Sequence, residues 1–145
     1  MKFSLELPIK RSRAEVWKAF NNIENMSKWQ PSLKKYENVS GTAGQPGAVS
    51  ILTYGEGPHE FTLTEKITLR AEPERFDGIY ENNFADNTIK NTFIATDENE
   101  TLWKMDVEFT FKTLIMKVVG PLMKKNYVIR TQRDMERFKE LVEKS

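Results

Sequence analysis

Residues 2–9 set Phe3, Leu5, Leu7 and Ile9 at alternate positions against Lys2, Ser4 and Glu6, the period of two expected of a strand with one buried face. Ser12-Arg13-Ala14-Glu15 then reads as a capping box, in which the Ser hydroxyl and the Glu carboxylate each satisfy a free amide at a helix start. That helix runs to about Phe20, with Val16, Trp17 and Phe20 on one side. A second short helix is expected over 23–28, and Pro31 closes it. From residue 33 the period changes to two and turn residues recur, predicting strands near 33–40, 47–54, 59–70, 75–84, 87–96 and 100–112. The connections are so short that these six must run as consecutive antiparallel hairpins. Gly120-Pro121 reads as the start of a last helix, with Pro at its first position. Along it Met123, Tyr127, Val128, Thr131, Met135, Phe138, Leu141 and Val142 form one stripe.

The expected architecture is α+β: a seven-stranded curved antiparallel sheet, two short helices after the first strand, and one long C-terminal helix. No repeat, low-complexity tract or linker interrupts the chain, so residues 1–145 form a single domain. A curved sheet has one apolar face to cover, and only the long helix is large enough to cover it. A cavity enclosed between them is the expected place for function.

Composition removes several classes of function. The 145 residues are 39% apolar and 11% aromatic, which excludes a disordered chain. No Cys is present, so thiol nucleophiles, disulfide scaffolds and cysteine metal sites are excluded, and one His, His59, cannot build a multi-histidine centre. No metal and no cofactor are expected. The net charge of +1 divides into +4 over residues 1–53, −8 over 54–108 and +5 over 109–145. The cations are spread rather than clustered with aromatics, so nucleic acid is not an expected partner. The apolar run 113–123 is too short to span a bilayer and no signal segment is seen, so a cytoplasmic chain without membrane insertion is expected.

Five stretches carry a family resemblance: Ser12-Arg-Ala-Glu-Val-Trp17, Ile23-Glu-Asn-Met-Ser-Lys-Trp29-Gln-Pro31, the glycine turn before Gly47-Ala-Val-Ser50, Leu63-Thr-Glu65-Lys-Ile67 followed by Ala71-Glu-Pro-Glu-Arg75-Phe76, and Met135-Glu-Arg-Phe138-Lys-Glu-Leu141-Val-Glu143. With these the chain resembles the helix-grip fold of the START-like SRPBCC superfamily, in its bacterial polyketide cyclase/dehydrase-type branch. The resemblance implies a deep cavity for an apolar or amphipathic small molecule, with chemistry that varies among members.

Candidate site residues follow from polar side chains in phase with apolar ones. Phe61, Leu63 and Glu65 share one face of a strand with Ile67 and Leu69, Tyr80 and Asn82 share another with Phe76, and Asn91 lies between Ile89 and Phe93. Met105 and Val107 belong to a wholly apolar face, and Met123, Tyr127 and Thr131 to the helix stripe. Tyr54 is placed at the cavity mouth. A buried polar group needs a partner or a purpose, and apolar walls with a few convergent polar groups describe a ligand site. Glu65 and His59 are the candidate proton-transfer groups, although bulges that turn Glu65 or the Asn residues away remain an alternative. No nucleophile elbow or phosphate loop is present, and Gly41-x-x-Gly44-x-x-Gly47 reads as a hairpin connection. The leading reading is binding or carriage of an apolar or amphipathic small molecule. The alternatives are a cofactor-free cyclase, dehydratase or isomerase using a cavity Glu, Tyr or His, and a protein-interaction module with an unknown protein partner, which predicts an exposed patch.

Overall fold

The computed structural model describes residues 1–145. Strand β1 (Lys2–Ile9) leads into helix α1 (Arg13–Phe20), a 3₁₀ turn at Ile23–Asn25 and the one-turn helix α2 (Met26–Trp29). Strands β2 (Leu33–Ser40), β3 (Val49–Glu56), β4 (His59–Ala71), β5 (Arg75–Glu81), β6 (Ala85–Asp97) and β7 (Glu100–Phe111) follow, then α3 (Leu114–Leu122) and α4 (Lys124–Glu143). The seven strands form one antiparallel sheet in the order β1-β7-β6-β5-β4-β3-β2. This is a meander from β2 to β7, with β1 closing on β7 from Lys2 opposite Glu108 to Ile9 opposite Thr101.

Two local expectations need correction. The Ser12 hydroxyl accepts from the Glu15 N–H (3.3 Å), but the Glu15 carboxylate accepts from that same hydroxyl (3.0 Å) and not from the Ser12 amide. Gly120-Pro121 does not open the long helix. The apolar stretch before it is itself helical, capped by Thr113 Oγ1 accepting from the Met116 N–H (3.1 Å), and Pro121 falls near its end. The chain then turns at Met123 into α4.

The sheet wraps α4, and the two halves of that helix meet different surroundings. Its C-terminal half buries Met135, Phe138 and Val142 against Ile9, Val16, Trp17, Trp29, Phe93 and Trp103. Phe20 sits inside this aromatic group, edge-on to Phe93 at 5.1 Å, Phe76 at 5.7 Å and Phe138 at 5.8 Å between ring centroids. Each edge-to-face pair of this kind adds about 0.5–1.5 kcal/mol beyond area burial. The helix end is tied to β1, because Lys139 Nζ donates to the Pro8 carbonyl (2.6 Å) and the Lys10 N–H donates to Glu143 (2.8 Å). Midway along α4, Thr131 and Asp134 face side chains of β3, β4, β5 and β6 across a cavity.

Candidate functional site

Cross-strand register builds the polar wall of this cavity. Ser50 of β3 lies opposite Glu65 of β4, Glu65 opposite Tyr80 of β5, and Tyr80 opposite Asn87 of β6, so the four form one row across the sheet. Glu65 is 4% exposed. The Tyr36 hydroxyl donates to its Oε1 at 3.5 Å, accepts from the Ser50 hydroxyl at 3.1 Å, and Ser50 in turn accepts from Asn38 (3.3 Å). Burial pushes the Glu65 carboxyl above its ordinary value, and the neighbouring Tyr80 and Tyr36 hydroxyls only partly offset this. Burial likewise raises the phenols of Tyr80, Tyr54 and Tyr36, and the Glu65 charge adds to the rise in all three.

The remaining walls are apolar apart from a few groups. The cavity is about 220 Å³ and is lined by Phe20, Trp29, Leu52, Leu63, Ile89 and Met105 among others. Asp134 of α4 also lines it, and burial pushes that carboxyl up to about 6 against the pull of Arg137 and Arg130. At another side Arg70 bridges α1 and the β2–β3 connection, donating to Asn21 Oδ1 (2.9 Å) and the Gly44 carbonyl (3.1 Å) with its guanidinium 5.4 Å from the Trp17 ring. Asn87 Oδ1 and the Trp29 indole N–H, both on lining residues, are buried with no protein partner.

Of the residues singled out in the sequence, Tyr54, Leu63, Glu65, Tyr80, Asn91, Met105 and Thr131 line the cavity. Some of these are already occupied. Asn91 donates to the Phe76 carbonyl (3.2 Å) and accepts from the Trp103 indole (2.9 Å), the Thr131 hydroxyl donates to the Tyr127 carbonyl (2.8 Å), and the Tyr54 hydroxyl donates to Gln30 (2.8 Å).

Seven others lie elsewhere, each for a physical reason. β5 ends at Glu81, and Asn82 Oδ1 accepts from the Phe84 and Ala85 amides as a turn cap. Phe93 and Val107 are packed into the solid core, and Phe93 stacks on Trp103 at 6.1 Å. Tyr127 stacks on Phe109 at 4.8 Å, filling the space beneath its helix turn, and Met123 sits in the joint between α3 and α4. Phe61 is half exposed and stacks on Tyr54 at 5.6 Å, on the rim of an outer groove that also carries His59. His59 opens β4 on the surface, remote from the Glu65 row, and is no candidate acid or base for this cavity.

Tyr36, Asn87 and Asp134 were not anticipated. Asn87 continues the alternation of Ile89, Asn91 and Phe93 by one step, and Asp134 falls at helical spacing between Thr131 and Phe138, so both carried a signal. Tyr36 carried none, because a register shift between Leu33 and Lys35 changes the phase of β2.

Several solved structures share this fold. A START superfamily protein from Mycobacterium smegmatis superposes with a TM-score of 0.80 at 15% identity, covering 99% of this chain and 97% of that one. The Zhui aromatase/cyclase from Streptomyces sp. R1128 gives 0.78 at 10% identity, covering 99% and 93%. Norcoclaurine synthase from Thalictrum flavum, in complex with dopamine and hydroxybenzaldehyde, gives 0.70 at 18% identity, covering 98% and 86%. No curated protein matches the sequence. The family model for polyketide cyclase/dehydrase and lipid transport matches residues 1–143, and the chain belongs to that family.

Proposed function

We propose that the chain binds a small amphipathic aromatic molecule, of one or two rings, in the cavity between sheet and α4. The observation that carries this is the row Glu65–Tyr80–Asn87, a polar strip on the wall of a space whose other lining residues are mostly apolar. Size supports it: an apolar cavity of about 150 Å³ holds benzene, so about 220 Å³ suits a single or fused double ring and not a long acyl chain. The unpartnered Asn87 oxygen and Trp29 indole N–H offer an acceptor and a donor to a ligand's polar end. Calorimetric titration with 2-naphthol and naphthalene tests the reading. Saturable 1:1 binding of 2-naphthol, about tenfold tighter than naphthalene and lost in Glu65→Leu, is the expected result. No saturable binding, or equal affinity for both compounds, overturns it.

A second reading, proton transfer, is favoured by one specific feature. A carboxyl and two phenols with raised pKa values share one wall, the arrangement in which a base and an acid can act on opposite ends of a carbonyl compound. The relatives described as cyclases and as norcoclaurine synthase are compatible with it. In this reading Glu65 takes a proton from the carbon beside the carbonyl while Tyr80 donates to the forming enolate. Exchange of that hydrogen in 2-tetralone for deuterium, followed by NMR, is expected in the native chain and absent in Glu65→Gln. A rate no faster than buffer alone leaves binding as the whole function.

A further inference from the structure

Helix α3 inverts the usual arrangement of a surface helix. Its buried residue is Gly120, pressed against the Phe111 ring, whereas Leu114 and Leu122 are each 80% exposed, Ile115 74%, Val118 65% and Val119 40%. At 100° per residue these five side chains occupy an arc of about 140°. Phe84, 58% exposed at the β5–β6 turn, is held near the start of the helix, where its carbonyl accepts from the Lys112 N–H at 2.8 Å. Single exposed apolar residues are ordinary, but a contiguous apolar patch of this extent marks an interaction surface.

Charge identifies what covers it. From Phe109 to Arg133 the chain carries six cationic residues and no carboxylate. Lys112 is paired with Asp86 (2.7 Å), but Lys117, Lys124 and Lys125 are exposed and make no ion pair. A second copy of this chain seated face to face would bring two lysine-bordered faces together, and like charges there repel. The surface that complements an apolar arc edged by unpaired lysines is apolar beneath and anionic at its rim.

We propose that α3 seats the protein on a membrane surface containing anionic lipids, with the Leu114–Leu122 arc at the headgroup–acyl boundary and Lys117, Lys124 and Lys125 on the phosphates. Amphipathic helices with cationic borders bind bilayers in this in-plane way. The seat is interfacial, since no helix here is long and apolar enough to cross a membrane. It lies apart from the cavity, so it stands or falls independently of the ligand.

Co-sedimentation with vesicles tests it, using phosphatidylcholine alone and phosphatidylcholine with about 30% phosphatidylglycerol. Binding is expected to the anionic vesicles only and to weaken at high salt. At about fivefold per lysine, Lys117→Glu/Lys124→Glu/Lys125→Glu should reduce partitioning on the order of 100-fold or more. Leu114→Ser/Leu122→Ser should abolish it while leaving the circular dichroism spectrum and 2-naphthol affinity unchanged. Equal binding to neutral vesicles, or none to anionic ones, overturns the proposal. So does a dimer in sedimentation equilibrium that Leu114→Ser/Leu122→Ser dissolves, because α3 would then be a self-association surface.

Discussion

A carboxylate that is 4% exposed and has hydroxyls but no cation in contact is held at an energetic disadvantage whenever it is charged. Because its folded-state pKa lies above its unfolded value, the folded chain holds the Glu65 proton more tightly. That contribution to stability is fully present below about pH 4.5 and is lost as pH rises through the folded-state value. Asp134 behaves the same way between its ordinary 3.8 and about 6. Asp134→Asn should therefore remove the part of the stability loss that falls between pH 4 and 6, since the ion pair it gives up, with a partly exposed Arg137 three residues along the same helix, contributes little. Urea midpoints of the variant and the native chain are expected to separate in the variant's favour as pH rises through that window, and a gap that moves the other way would contradict the assignment. Glu65→Gln, which keeps the shape without the titration, should gain on the native chain over the range that begins near pH 4.5. Glu65→Leu should be tolerated or stabilising in the absence of ligand. At this scale strand alternation was a good guide wherever a strand stayed in phase. Glu65, Tyr80 and Asn91 were legible for that reason, while Tyr36 was hidden by a bulge and Asn82 was misassigned because β5 stops one residue before it.

Among the elements, the joint between sheet and helices depends on one small residue. A Cβ built on Gly120 would stand 2.4 Å from two carbons of the Phe111 ring, which is itself stacked on Phe109 at 6.0 Å and has little freedom to move. Gly120→Ala gains up to about 1 kcal/mol in helix propensity, but overpacking of this kind typically costs about 1–3 kcal/mol, so the clash wins. The expected outcome is a lowered melting temperature that Phe111→Leu partly restores in the double variant, and an unchanged or raised value for Gly120→Ala alone would show that α3 lifts freely off β7. The order of strands and the two helices after β1 could be read from period and turn chemistry. The Gly-Pro pair was misleading because Pro121 lies in the last turn of α3 and not in the first turn of α4, and the helix start that mattered was Thr113, three residues before Met116.

For the molecule as a whole, the division between solid core and cavity decides what kind of ligand fits. Aromatic rings from α1, α2, β6, β7 and α4 fill one half, and the Phe109–Tyr127 stack fills the space under the start of α4. What remains is about 220 Å³, so thermal shift assays should show stabilisation by 2-naphthol that a sixteen-carbon fatty acid does not reproduce. Stabilisation by the fatty acid alone would place the ligand outside this space. No periodicity in the sequence contains that division, because it depends on how α4 lies across the sheet, and Tyr127 and Thr131 are equivalent on the stripe although only Thr131 reaches the cavity. The pairing of β1 with β7 carries a further consequence, in the time domain. The six-strand meander is built from neighbours in sequence, whereas Phe3 must find Val107 across about a hundred residues of chain. Closing so long a loop is entropically slow. During synthesis β1 emerges ahead of β7, and its pairing edge stays open until β7 has followed it, so the sheet closes only after the whole meander has been made.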